Sequence, residues 1–179
     1  MHPDLECVLI TKEEIANKVA EIASQLDKDY EGKNPLMICI LKGSVLFFAD
    51  IVRAMTIPLE IDFMAISSYG QGATSGIVKL VKDLDRSIEN RHIVIVEDII
   101  DTGNTLYYLK RMLNERHPSS IKICALLDKF ERREANISVD YKAFDIRNEF
   151  VVGYGLDYAQ NYRNLPEIGI LKREIYEKD

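Results

Sequence analysis

Glu97, Asp98 and Asp101 place three carboxylates within five positions, and the chain runs straight from them into Thr102-Gly103-Asn104-Thr105. Carboxylate oxygens suit sugar hydroxyls and hard cations, and Mg²⁺ takes oxygen ligands and bridges phosphate oxygens. The four residues that follow suit an anion. Gly103 lets the backbone approach a ligand closely, the Thr hydroxyls donate, and free N–H groups at a helix start attract negative charge. The spacing is not GxxxxGK[ST], so this is not a Walker loop. For an isolated acid pair, solvation of a strand end would be the simpler account, with Asp101 as a plain helix cap. Acids beside an anion cradle favour a phosphorylated, hydroxyl-bearing ligand held with a cation.

These residues need a strand to deliver them and a helix to receive them. Ile93-Val94-Ile95-Val96 is a short continuous apolar run, the mark of a strand covered on both faces. Leu106, Leu109 and Leu113 then recur at helical spacing, and the helix stops before Pro118. Adjacent strand residues point to opposite faces, so Glu97 and Asp98 can serve one ligand only if the strand ends and the backbone turns there. Similar apolar runs predict strands over residues 36–41, 61–66, 77–84, 121–127 and from Phe150 onward. Thr11 and Glu14 form a capping-box pattern that opens a helix with Ile15, Val19, Ile22 and Leu26 on its apolar face. Val45, Phe48, Ala49 and Val52 trace a second helix after Lys42-Gly43-Ser44. Residues 67–76 are polar with three glycines and read as a mobile loop. Strands alternating with helices predict βαβ units, a largely parallel sheet and an α/β fold in one domain over residues 1–179, with a small terminal elaboration.

A net charge of −6 without any basic tract disfavours wrapping a nucleic-acid backbone. No apolar segment approaches the roughly 20 residues that cross a bilayer, and no signal peptide is visible, so no membrane partner is expected. Cys7, Cys39 and Cys124 have neither metal-ligand nor redox spacing, which favours a reducing compartment and a cytoplasmic location. His2, His92 and His117 show no ligand spacing.

Val96-Glu97-Asp98-Ile99-Ile100-Asp101-Thr102-Gly103 closely resembles the phosphoribosyl-pyrophosphate (PRPP) motif of the hypoxanthine-guanine phosphoribosyltransferases. Leu41-Lys42-Gly43-Ser44 resembles that family's pyrophosphate loop, Ser68-Tyr69-Gly70 its closing flexible loop, and Asp128-Lys129 its base-recognition segment. The stretch from Phe150 through Asp157-Tyr158, with Tyr162-Arg163-Asn164 beyond, resembles its C-terminal signature. Five motifs in the same order cover most of the chain.

The resemblance implies a type I phosphoribosyltransferase-like fold, a central mainly parallel sheet flanked by helices with a small hood built from terminal segments. It implies the reaction base + PRPP ⇌ nucleotide + pyrophosphate, with Mg²⁺ and a 6-oxopurine base, in a homodimer or homotetramer. By the same resemblance Asp101 is the general base toward purine N7. Glu97 and Asp98 engage the ribose hydroxyls and Mg²⁺, and Asp157 makes a second Mg²⁺ contact. Thr102, Gly103, Asn104 and Thr105 hold the 5′-phosphate, Asn104 through its backbone more than its side chain. Lys42, Gly43 and Arg163 contact pyrophosphate; the family often has a cis peptide before this lysine. Lys129 donates to O6 of the base, Phe150 stacks on the purine, and the Val151 backbone reads its edge. Ser68 and Tyr69 belong to the lid. Phe130 stands where many bacterial relatives have proline.

Two other readings share these features. A phosphoribosyltransferase for adenine or a pyrimidine is disfavoured by Lys129, whose ammonium only donates and therefore suits a 6-oxo group. A non-catalytic, nucleic-acid-binding regulator on the same fold is disfavoured by the presence of Asp101, the pyrophosphate loop and the lid residues, and by the missing basic surface stretch.

Overall fold

The computed structural model describes residues 1–69 and 77–177. The larger sheet has the order β4-β3-β2-β5-β6-β7. It is built from β2 (Leu36–Leu41), β3 (Glu60–Tyr69), β4 (Ile77–Lys82), β5 (His92–Ile100), β6 (Ser120–Asp128) and β7 (Tyr141–Asp145). All neighbouring pairs are parallel except the edge pair β3·β4, which is antiparallel. The alternation of side chains along β2 and β5 divides the core. Met37, Cys39, Val94 and Val96 pack with α1 (Lys12–Asp29) and α2 (Val45–Ala54), whereas Ile38, Ile40, Ile93 and Ile95 pack with α3 (Asn104–Asn114). Burial on both faces is why these strands read as unbroken apolar runs rather than alternating ones. The capping box at the start of α1 is present: Glu14 N–H donates to Thr11 Oγ1 at 3.3 Å and Thr11 N–H to Glu14 Oε2 at 2.8 Å.

A second, antiparallel sheet has the order β1-β9-β8 and joins the two ends of the chain: β1 (Leu5–Ile10), β8 (Val151–Val152) and β9 (Ile168–Leu171). A short helix α4 (Arg173–Tyr176) follows. This is the terminal hood. It is fastened to α2 by Tyr154, whose hydroxyl donates to Asp50 at 2.6 Å.

Two expectations change. β5 runs on to Ile100 instead of stopping at Val96, because β6 continues to pair with it as far as Ile100↔Asp128. Its pairing with β2 ends at Cys39↔Val96, so Glu97 onward lies along an open edge. Residues 67–69 belong to strand β3, not to a loop, since β4 folds back to pair with them. The remainder of the expected mobile loop, residues 70–76, lies outside the described residues.

The chain leaves β2 toward β3 on one side of the sheet and leaves β5 toward β6 on the other. The carboxyl ends of β2 and β5 therefore flank the topological switch point, where open α/β sheets bind ligands.

Candidate active site

A cavity of about 360 Å³ opens at that switch point. Lys42 and Gly43 form one side; Glu97, Asp98, Asp101, Thr102, Gly103 and Thr105 form the floor and the opposite side; Asp157 and Arg163 close it from the hood. Three separate stretches of sequence thus bring their polar groups together, with Ile66 of β3 completing the lining. Two glycines make the convergence possible. A Cβ on Gly43 would lie 1.6 Å from Asp98 Oδ2, and a Cβ on Gly155 would lie 2.0 Å from the Gly43 carbonyl oxygen. Gly155 also sits at φ +103°, which disfavours any other residue. The Leu41–Lys42 peptide bond is cis.

The carboxylates on the floor differ from those on the hood. Burial, reinforced by the charge of neighbouring Asp98, raises Glu97 well above the ordinary carboxylate range. Burial likewise raises Asp98 to about 6, against the lowering effect of the Ile99 N–H at 2.8 Å and of the Arg163 charge. Both groups still border the cavity. They are acids without a sufficient counter-charge in the protein itself. Asp157 is compensated: one oxygen pairs with Arg163 at 2.7 Å and the other accepts from Gln160 N–H at 2.8 Å. Arg163 in turn donates to the Gly155 carbonyl at 2.7 Å, so this cation braces the hood while facing the cavity. Among the described residues no three Asp, Glu, His or Cys side chains converge into a ready-made metal cage.

The anion cradle is built at the start of α3. Gly103 is the N-cap with φ 81° and supplies no capping side chain; among the described residues the only side-chain acceptor at the helix start is Thr102 Oγ1, at a long 3.4 Å from Asn104 N–H. The first-turn amides therefore have no intrahelical acceptor and point toward the cavity end of the helix. Behind the loop, the Thr102 carbonyl accepts from Glu134 N–H at 2.9 Å and Ala135 N–H at 3.0 Å. The Asn104 side chain turns away from the cavity and donates to Glu134 at 2.8 Å, which leaves only its backbone for a ligand.

Lys129, Phe150 and Val151 lie outside the cavity wall, on the side toward the hood. Lys129 is buried at the end of β6, its N–H donating to the Ile100 carbonyl at 2.9 Å. Burial lowers its pKa, and the nearby Asp101 charge opposes that effect. Phe150 is partly exposed; Tyr176 stacks on one face at 4.7 Å, and Tyr158 meets the ring edge-on. Val151 is buried in the hood, paired with Ile170. The backbone of Ser68 and Tyr69 is strand, while their side chains lie outside what the structure describes.

A phosphoribosyl transferase domain model matches residues 10–159. The chain belongs to the phosphoribosyltransferase family. It is 50% identical over 179 residues to a hypoxanthine-guanine phosphoribosyltransferase of Streptococcus thermophilus, covering 99% of both chains. It is 51% identical to the protein of that name from Streptococcus pyogenes, again over 99% of each. A crystal structure of a hypoxanthine phosphoribosyltransferase from Staphylococcus aureus superposes with a TM-score of 0.96 at 48% identity, covering 99% of this chain and 97% of that one. The expected type I phosphoribosyltransferase fold is therefore present.

Two further residues of this phosphoribosyltransferase, Arg132 and Arg133, escaped the sequence reading, and Asp128 was read only as part of the base-recognition segment. Asp128 is buried and pairs with both Arg133 and, at 3.6 Å, Lys142. Arg133 reaches under the anion cradle: a Cβ on Gly103 would come within 3.0 Å of its Cδ. Arg132 approaches Asp101, with Nε 3.1 Å from Oδ1. The signal available was the charge-dense stretch from Asp128 to Glu134, which resembles an ordinary solvated turn until its neighbours are known.

Proposed function

We propose that this chain transfers the phosphoribosyl group of PRPP to hypoxanthine or guanine, forming IMP or GMP and releasing pyrophosphate in purine salvage. The observation that carries this reading is the convergence at the switch point of an uncapped helix start with two uncompensated carboxylates, Glu97 and Asp98. A polyanionic sugar held together with a cation supplies what both features lack.

The 5′-phosphate rests on the amides and hydroxyls of residues 102–105. Glu97 and Asp98 accept hydrogen bonds from the ribose hydroxyls and fix the sugar. Lys42 and Arg163 face the leaving pyrophosphate, and their charge stabilises the anion as it departs. Purine N9 forms the new bond to C1′ while the C1′–O bond breaks, with that electron pair leaving on pyrophosphate. Asp101 accepts the N7 proton, so the base ends neutral and the sum of charges balances. Lys129 donates to O6, and an adenine 6-amino group in its place would leave a buried cation unpaired.

The donor set fits Mg²⁺. This ion dehydrates reluctantly and binds through one or two carboxylates plus substrate oxygens, so no cage of protein ligands is needed. When bound it supplies charge neutralisation of the pyrophosphate oxygens. Glu97 and Asp98 would be the carboxylates that hold it, and Asp157 could contribute from the hood by giving up its pairing with Arg163. No helix among the described residues is long and apolar enough to cross a membrane. Cys39 and Cys124 are buried as free thiols, and a cytoplasmic homodimer or homotetramer accords with the composition and the family.

Mixing the purified protein with PRPP, hypoxanthine and Mg²⁺ should release pyrophosphate stoichiometrically with IMP. Absence of both products across hypoxanthine, guanine and xanthine would dispose of the proposal.

A further inference from the structure

We infer that Arg132 is a positioning residue that presents one oxygen of Asp101 to the substrate by holding the other. This role rests on the function proposed above. Asp101 lines the cavity and its side chain is 41% exposed, yet Oδ1 itself is sealed from solvent. The exposure therefore lies on the remainder of the group, and Oδ2 is the oxygen a ligand can reach. Oδ1 has no hydrogen-bond partner; the Arg132 Nε at 3.1 Å faces it as an ion pair outside hydrogen-bond alignment. A carboxylate turns easily about its last torsion, whose profile is broad, so a charge beside one oxygen is enough to fix the angle of its plane and hence the direction of the other oxygen.

Arg132 is itself held. It closes the short 3₁₀ turn Phe130–Arg132 that follows Lys129, and its backbone N–H donates to the Lys129 carbonyl at 3.0 Å. Its Nη1 lies 3.5 Å from Asn148 Oδ1, in the segment that leads to Phe150. The guanidinium thus spans from the loop bearing the proton acceptor to the segment bearing the stacking ring. The residue that takes the N7 proton is registered against the two that hold the base, Lys129 and Phe150. Without Arg132, Oδ1 loses its counter-charge and the carboxylate rotates to bring that oxygen to water, leaving Oδ2 misdirected.

The test compares Arg132→Ala and Arg132→Lys in the native chain and in an Asp101→Asn background, by single-turnover IMP formation and by IMP binding. Arg132→Ala should lower the rate about tenfold, within the range that small misplacements of reacting groups produce. The KM for PRPP and the affinity for IMP should stay within about twofold, because the phosphate and sugar contacts are untouched, and Arg132→Lys should recover most of the rate. In the Asp101→Asn background, Arg132→Ala should cause no further loss, since its effect runs through that carboxylate. An equal loss in both backgrounds would overturn the inference, as would a loss carried by KM or IMP affinity with the rate intact. A native chain that releases no pyrophosphate would instead remove the proposed function, and this role with it. Arg132 is 46% exposed on a surface turn, so both variants are expected to fold.

Discussion

The two walls of the site treat charge in opposite ways. On the side proposed to hold the sugar, Glu97 and Asp98 are half-buried acids in adjacent positions, both with pKa raised by burial. On the side proposed to receive the base, the more deeply buried Asp128, behind the cavity wall, is met by Arg133 and Lys142, and the cavity-lining Asp101 by Arg132. A buried ion pair completes itself within the fold, whereas uncompensated acids cost free energy until something arrives to neutralise them. The contrast separates Asp128, which shapes the protein, from Glu97 and Asp98, which lack a partner within it; Asp101 stands between, faced by Arg132 at one oxygen and exposed on the cavity side.

The largest effect should fall at the seam between the walls. Asp101→Asn keeps the size of the side chain and removes the proton acceptor, and should lower turnover by about 10²–10⁴-fold with IMP affinity nearly unchanged. Equal losses in rounds of binding titration and rapid-quench kinetics would assign Asp101 to the sugar wall instead. Next comes the base wall itself. Asp128→Asn strands the Arg133 guanidinium, two of whose nitrogens already lack hydrogen-bond partners, and should destabilise the protein by about 3–5 kcal/mol in urea unfolding. A smaller effect follows for Lys129→Ala: loss of one charged hydrogen bond to O6 should cut hypoxanthine-over-adenine selectivity by about 1.5–3 kcal/mol. Selectivity that survives the change would take Lys129 out of base reading.

The smallest expected effect has the opposite sign. With its pKa raised to about 6 from 3.8, Asp98 in the folded protein holds a proton that the unfolded chain has released. Its favourable contribution is complete below the unfolded value and disappears as pH rises through about 6. At neutral pH the ligand-free protein therefore carries a penalty, and Asp98→Asn should stabilise it by roughly 1–2 kcal/mol at pH 7.5, with the gain vanishing toward pH 4. Urea midpoints of the two proteins across that range decide the matter, and a destabilised variant at pH 7.5 would erase the distinction between the walls. The same Asp-to-Asn replacement should thus weaken one wall and strengthen the other.

The sugar wall was legible because it is contiguous. Glu97 through Thr105 carry their acids, glycine and hydroxyls in one stretch, and an apolar run before it announces the strand. On the proposed base side the sequence pointed to Lys129, Phe150 and Val151, which lie outside the cavity lining. What fixes them depends on contacts across about thirty positions, such as Arg132 with Asp101 and Glu134 with Thr102, and a charged turn gives no local sign of these. Of the hood strands only β8, opening after Phe150, was readable. β1 alternates poorly and β9 has four residues, so neither presents the apolar rhythm that marks the central sheet. The overrun of β5 past Val96 was missed because acids ordinarily end a strand, whereas here β6 keeps pairing beneath them.

Gly155 resting on the carbonyl of Gly43 has a consequence for biosynthesis. The corner proposed to grip the departing pyrophosphate is a sandwich of an early segment and a late one, and β9 must reach β1 before the late layer is anchored. As the polypeptide emerges from the ribosome, the strand, cradle and acids can assemble first. The leaving-group corner becomes whole only when the final stretch has been made, so an incomplete nascent chain would possess a sugar site but no working enzyme.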